Sequence, residues 1–173
     1  MTKKITRVFD CIEYQNCNYP QKEALVYKEN GKWISYSSEE FITIANQVSS
    51  SLLTLGIKPN DKIAIIVPVN HPKWHFLDIG ILQIGAQNVP LYATLSEKDY
   101  EYVLNHSDSK YCFIAGDEIY EKVKTVQSKT QLEEVFRLDD NPKIGWNSFL
   151  ELGKNKNFQS KIENIKNNIS PQN

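Results

Sequence analysis

Hydrophobic and polar positions follow two regimes along the chain. Residues 25–36 hold short β-prone runs, Leu25-Val26-Tyr27 and Trp33-Ile34-Ser35-Tyr36, on either side of Asn30-Gly31. That pairing predicts a hairpin, because Asn and Gly accept the positive φ angles of a two-residue turn. Ser37 or Ser38 then caps a helix with Glu39 and Glu40 in its first turn. Phe41, Ile44, Ala45, Val48, Leu52 and Leu55 form one apolar stripe, so this helix is expected to be one-sided and at the surface, ending at Gly56.

After residue 60 the pattern changes. Lys62-Ile63-Ala64-Ile65-Ile66-Val67 is apolar without alternation, as in a strand covered on both faces. Asn70-His71-Pro72 opens a helix that is apolar nearly all round from Trp74 to Ile84 and is therefore expected to be buried. The next strand, Asn88-Val89-Pro90-Leu91, contains a proline that cannot donate to a ladder, which makes it short or places it at an edge. Ser96 and Asp99 resemble a capping box for a helix bearing Tyr100, Val103 and Leu104. Lys110–Ala115 reads as a buried strand, Asp117 starts a helix with Ile119, Tyr120, Val123 and Val126 inward, and Glu134–Leu138 is a further strand. Trp146, Phe149 and Leu150 mark a short helix, and Phe158, Ile162, Ile165 and Ile169 recur at helical spacing in the Asn- and Lys-rich tail. The fold class is α/β, a mainly parallel sheet flanked by helices and preceded by a β-hairpin. Residues 1–152 form the α/β unit and 153–173 a connector.

The chain has 173 residues and a net charge of -1, from 20 basic and 21 acidic side chains. So balanced a charge provides no field to attract nucleic acid or an anionic membrane. No apolar run approaches the ~20 residues that span a bilayer, and the basic start at Met1–Arg7 has no signal-peptide core after it. Cys11, Cys17 and Cys112 are odd in number and irregular in spacing, which fits incidental or buried thiols rather than a disulfide or zinc framework. A soluble, cytoplasmic protein is the expectation.

Candidate chemistry is sparse. Gly80–Gly85 has G-x₄-G spacing, but Ala86-Gln87 follows where a phosphate loop needs Lys and Ser or Thr. Close helix–sheet packing explains Gly80 better. His71, His75 and Asp78 could share a helix face, yet Pro72 stands where a zincin carries its Glu, so His71 is read as a cap and His75 as a packed ring. His106, in the last turn of its helix, suits the dipole there. Glu39-Glu40, Glu133-Glu134 and Asp139-Asp140 are read as solvated charges. The tail lysines Lys154, Lys156, Lys161 and Lys166 are read as part of a solvated connector, with a membrane-surface helix as the alternative. Metal ligands and catalytic residues: none.

Several segments together resemble the N-terminal part of long-chain fatty acyl-CoA synthetases in the adenylate-forming superfamily. Gly31–Ser37 is similar to the family's hairpin and first-helix entry, and Leu55–Ala64 to its "GI-x-x-GD-x-V-A" stretch, with Asn60 in place of a glycine. Asn70-His71-Pro72-Lys73-Trp74 looks like "N-x-P-E-W" with Lys73 for Glu, and Gly85–Leu95 running on to Tyr102–Ser107 is the most specific segment. The resemblance implies the N-terminal subdomain of the adenylate-forming fold, within a parent ligase that uses ATP, Mg²⁺ and CoA. It also implies that the phosphate loop and the reacting residues lie beyond the connector, since Ser170-Pro171-Gln172-Asn173 looks like the stretch before that loop's strand. On this reading the 173 residues bind no cofactor of their own and are inactive alone. The parent is cytoplasmic, with a peripheral membrane position as a second option, and the chain's partners are the rest of the ligase or, through exposed apolar surface, itself. The candidate cofactor-binding residues are Tyr92, Ala93 and Thr94, near the CoA entrance in relatives, with Thr94 where some carry a phosphate-binding arginine. The alternative is a free-standing α/β binding or interaction module.

Overall fold

In the computed structural model Asn30 and Gly31 have φ of 50° and 79°, the left-handed pair that a tight hairpin needs. They join β1 (Leu25–Glu29) to β2 (Lys32–Tyr36), antiparallel, with Lys28 opposite Trp33. The structure describes residues 5–170; the readings of Met1–Lys4 and of Pro171-Gln172-Asn173 lie outside the described residues. A helix, α1 (Val8–Asn18), precedes the hairpin, and α2 (Ser38–Thr54) follows it. Ser37 caps α2: its hydroxyl accepts the Glu40 N–H at 3.1 Å, while the Glu40 carboxylate accepts the Ser37 N–H at 2.7 Å.

Strands and helices then alternate: β3 (Lys62–Ile66), α3 (Pro72–Leu82), β4 (Gln87–Pro90), α4 (Glu97–Ser107), β5 (Ser109–Ile114), α5 (Asp117–Gln127), β6 (Glu134–Arg137), α6 (Trp146–Gly153) and α7 (Gln159–Asn168). The four strands from β3 on form one parallel sheet in the order β4-β3-β5-β6. Period-two alternation sorts their side chains onto two faces. Ile63, Ile65, Tyr111, Phe113 and Phe136 enter a core shared with α1, α2, α3, α6 and α7, whereas Ala64, Ile66, Cys112, Ile114 and Val135 enter one shared with α4 and α5. Both faces are covered, which is why β3 reads as continuously apolar. Pro90 sits on the edge strand. Asn60, in the place of the family's glycine, has φ of 70°.

Three expectations need correction. The buried face of α2 is wider than its apolar stripe, because Ser49 and Ser51 are buried along with it. Ser49 donates to the Gly80 carbonyl at 2.7 Å, and Ser51 donates to the Leu150 carbonyl at 3.2 Å and accepts the Gly153 N–H at 3.1 Å. These serines are inside because α3 and α6 supply their partners. Gly80 serves helix–helix rather than helix–sheet packing: a Cβ there would lie 2.4 Å from Val48 Cγ1 and 2.9 Å from the Ala45 carbonyl oxygen on α2. Finally, Lys166 is 2% exposed rather than solvated. Its ammonium pairs with Glu13 of α1 and, at 3.0 Å, with Glu163, and lies over the Phe9 ring.

Candidate functional site

The segment after β4 leaves the carboxyl end of the sheet as Leu91-Tyr92-Ala93-Thr94-Leu95 and enters α4 through Ser96. Ser96 caps that helix, accepting the Asp99 N–H at 3.2 Å and donating to the Asp99 carboxylate at 2.6 Å. The turn is tied down from below, where the fully buried Tyr100 donates its hydroxyl to the Tyr92 carbonyl at 3.0 Å. The Tyr92 ring itself is 82% exposed, and Ala93 packs partly against the α4–α5 core. Removing the Tyr100 hydroxyl should cost about 1 kcal/mol, a typical single hydrogen bond. Urea unfolding of Tyr100→Phe against the parent sequence measures it.

Of the three sequence candidates, Thr94 alone lines a groove, one of about 880 Å³ between the start of α4 and the flank of α5. The groove adds lysines that the sequence reading passed over: Lys98 from α4, and Lys122 and Lys129 from α5 and its end. Lys122 pairs with Glu118 at 2.8 Å and Lys129 with Glu101 at 3.5 Å. Spacing could not reveal this convergence, because the lysines come from separate elements joined only by the packing of α4 on α5. The groove sets these ammonium groups beside a solvent-exposed turn together with the carboxylates of Glu97 and Glu101, so a phosphate there would meet both signs of charge.

The second polar cluster lies where β1, the start of α3 and the loop after β6 meet. His71 caps α3, its Nδ1 accepting the Lys73 N–H at 3.1 Å, which leaves the ring proton on Nε2. Burial, and then the Lys73 charge, lowers the His71 pKa and favours the neutral ring. The Tyr27 ring lies 4.7 Å from it, and burial, with smaller contributions from Tyr36 and Glu29, pushes that phenol up to about 12. Lys73 donates to the Leu138 carbonyl at 2.6 Å and lies over the Trp146 ring. Arg137 is held by both Asp117 and Asp139.

The remaining candidates are dispersed. His75 is exposed and packs edge-on against Trp74 at 5.3 Å, and Asp78 accepts from Asn88 Nδ2 at 2.9 Å, so neither joins His71. His106 stacks on Tyr102. The paired carboxylates have partners that were not foreseen: Glu133 accepts the Tyr111 hydroxyl at 2.7 Å, and Asp139 holds Arg137. Among the described residues no group of three His, Cys, Asp or Glu side chains could hold a metal ion, and no helix is long and apolar enough to cross a membrane. Cys11 and Cys17 are exposed, and Cys112 is buried, which pushes its thiol pKa up.

With this geometry the chain is similar to several known proteins. It is 34% identical over 99 residues to fatty acyl-CoA synthetase A of Dictyostelium discoideum, a match covering 57% of this chain and 14% of that protein. It is 24% identical over 165 residues to long chain acyl-CoA synthetase 4 of Arabidopsis thaliana, covering 87% of this chain and 25% of that one. The chain thus spans a quarter or less of the length of these curated relatives. Among solved structures, a long-chain-fatty-acid-CoA ligase from Archaeoglobus fulgidus superposes with a TM-score of 0.74 at 20% identity, over 90% of this chain and 32% of that one. This likeness shows the fold, the parallel sheet and hairpin of adenylate-forming enzymes. A model of the AMP-binding enzyme family matches residues 12–169, from within the first helix to the end of the last. The ordered motifs, the fold and that match agree: the chain belongs to the AMP-binding enzyme family.

Proposed function

We propose that this chain is one part of an ATP-dependent long-chain fatty acid–CoA ligase and supplies a supporting layer rather than the reacting groups. In such a parent the fatty acid carboxylate attacks the α-phosphorus of ATP and expels pyrophosphate. The CoA sulfur then attacks the acyl carbon and AMP leaves. The observation that carries the reading is the family match over residues 12–169 together with relatives named as acyl-CoA synthetases. The described residues do not fit Mg²⁺ or a nucleotide triphosphate: they hold no candidate metal cluster, and the sequence has no phosphate loop. No step of the reaction is therefore assigned to them.

The turn Tyr92–Thr94 is where this reading places the entrance for CoA. Thr94 brings no charge, and the ammonium groups of Lys98, Lys122 and Lys129 along the same groove are the ones that can meet a phosphate. Residues 1–152 act as the α/β unit, and 153–173 lead on toward the phosphate loop of the parent, which acts in the cytoplasm. Incubating the purified 173-residue chain with ATP, Mg²⁺, palmitate and CoA should yield no thioester, while the full-length parent yields palmitoyl-CoA. Turnover by the short chain alone overturns the reading. Tight binding of ATP, CoA or palmitate to that chain in a titration favours a free-standing binding module instead.

A further inference from the structure

β1 and β2 form a two-stranded sheet of their own, and its tip, Asn30-Gly31, is exposed. Asn30 shares a positive φ with Asn60 and Asn155, at 50°, 70° and 62° in that order. The residues that follow them are held differently. The Asp61 N–H donates to the Lys58 carbonyl at 3.1 Å, and the Lys156 N–H to the Gly153 carbonyl at 3.2 Å. Among the described residues no acceptor takes the Gly31 N–H, and no hydrogen bond holds the Asn30 side-chain amide. A Cβ placed on Gly31 would meet no heavy atom within 4 Å. A free side-chain amide is thus followed directly by a free, uncrowded main-chain nitrogen.

We propose that Asn30 is a site of spontaneous deamidation, through attack of the Gly31 main-chain nitrogen on the Asn30 side-chain amide. The Gly31 nitrogen gives its proton to solvent and bonds to Asn30 Cγ. The Cγ–Nδ2 bond breaks, and Nδ2 takes up a proton and leaves as ammonia. Water then opens the resulting succinimide at either carbonyl. Breaking the bond from nitrogen to Cγ restores the main chain and leaves aspartate. Breaking the bond from nitrogen to the Asn30 carbonyl carbon routes the main chain through Cγ and leaves isoaspartate. One water is consumed and one ammonia released, with no change of oxidation state. Ring closure requires Asn30 to leave its left-handed backbone conformation, and the tip of a two-stranded hairpin opens at low cost.

Elsewhere the same attack is hindered. Asn88, Asn105 and Asn147 donate Nδ2 to Asp78, the Lys129 carbonyl and Asp140 at 2.9, 3.0 and 2.8 Å, and the residues after them, Val89, His106 and Ser148, carry side chains. Asn141 precedes Pro142, which has no N–H. The two products act differently on the hairpin. Aspartate accepts a left-handed backbone as asparagine does, so the turn survives with one more carboxylate beside Glu29. Isoaspartate adds a methylene to the main chain, and the lengthened loop no longer sets Glu29 opposite Lys32. That register is what lays Tyr36 edge-on against Phe76 at 5.0 Å and Tyr27 against His71. The site is independent of the ligase reading, because every group it needs lies within the turn.

Ageing the purified 173-residue chain in buffer tests this. Peptide mass spectrometry locates each amide that has become an acid, and an isoaspartate-specific methyltransferase labels the isoaspartate product. Asn30 should be converted in most molecules before a second asparagine reacts, with both products present. An Asn30 amide that survives while another asparagine reacts overturns the proposal. So does an Asn30 amide that stays intact in the folded chain over the time in which the same chain in urea loses it, because the turn then shields the site. Amide hydrogen exchange reads the consequence: the isoaspartate fraction should lose protection across β1 and β2, and the Asn30→Asp variant should keep it. Equal protection in the two overturns the part assigned to main-chain length.

Discussion

Gly80→Ala is expected to destabilise the fold by about 2 kcal/mol, against the sign that helix propensity gives. Alanine in a helix interior gains up to about 1 kcal/mol over glycine. Here the added methyl meets Val48 Cγ1 at 2.4 Å, Val48 Cβ at 2.7 Å and the Ala45 carbonyl oxygen at 2.9 Å. Overpacking of this kind costs up to about 3 kcal/mol, and the backbone carbonyl cannot turn aside as a side chain can. Val48→Ala in the same chain removes the Cγ1 contact, the tightest of the three, and leaves the Cβ and carbonyl ones. The double variant should therefore lose less than the sum of the two single ones, by about 1 kcal/mol in urea unfolding. Strict additivity would mean that the Val48 Cγ1 methyl is not what the added Cβ meets.

Asp10→Asn should cost about 2 kcal/mol at pH 7, and the cost should fade in acid. Burial alone would raise the Asp10 pKa, but hydrogen bonds from the Arg7 guanidinium and the Thr6 and Arg7 amides outweigh it and hold the carboxyl at about 2. A carboxylate whose folded pKa lies below its unfolded value contributes stability that is fully present above about pH 4 and is lost as pH falls toward 2. Unfolding of the two proteins at pH 7, 5 and 3 should show a constant gap from 7 to 5 and a narrowed one at 3. An unchanged gap at pH 3 would show that Asp10 acts by shape and not by charge.

Local chemistry made most of the sheet unit legible. Asn30-Gly31 announced the hairpin, Ser37 or Ser38 before Glu39-Glu40 and Ser96 with Asp99 announced helix starts, Pro72 stands at the first position of α3, and Pro90 marked a short or edge strand. The rest depended on contacts between distant segments. Residues 8–18 gave no helical reading, since α1 buries only Phe9 and Asp10 and is held by partners far along the chain. Lys166 was read as part of a solvated connector and Ser49 and Ser51 drew no reading, since nothing near them in sequence reveals the carbonyls and carboxylates that receive them inside. The candidate site divided in the same way. Tyr92–Thr94 could be reached through resemblance, whereas the lysines beside Thr94 come together only once α4 has packed on α5.

Arg7 caps the end of α7 through the Lys166 and Ile169 carbonyls, and Lys166 returns to Glu13 across 153 positions of chain. This clasp gives synthesis on the ribosome a definite order. At about 5–20 residues per second, α1 waits about eight to thirty seconds for its mate to be translated. Through that interval Phe9 lacks the Lys166 ammonium that later lies over its ring, and α1 rests on α2 and α3.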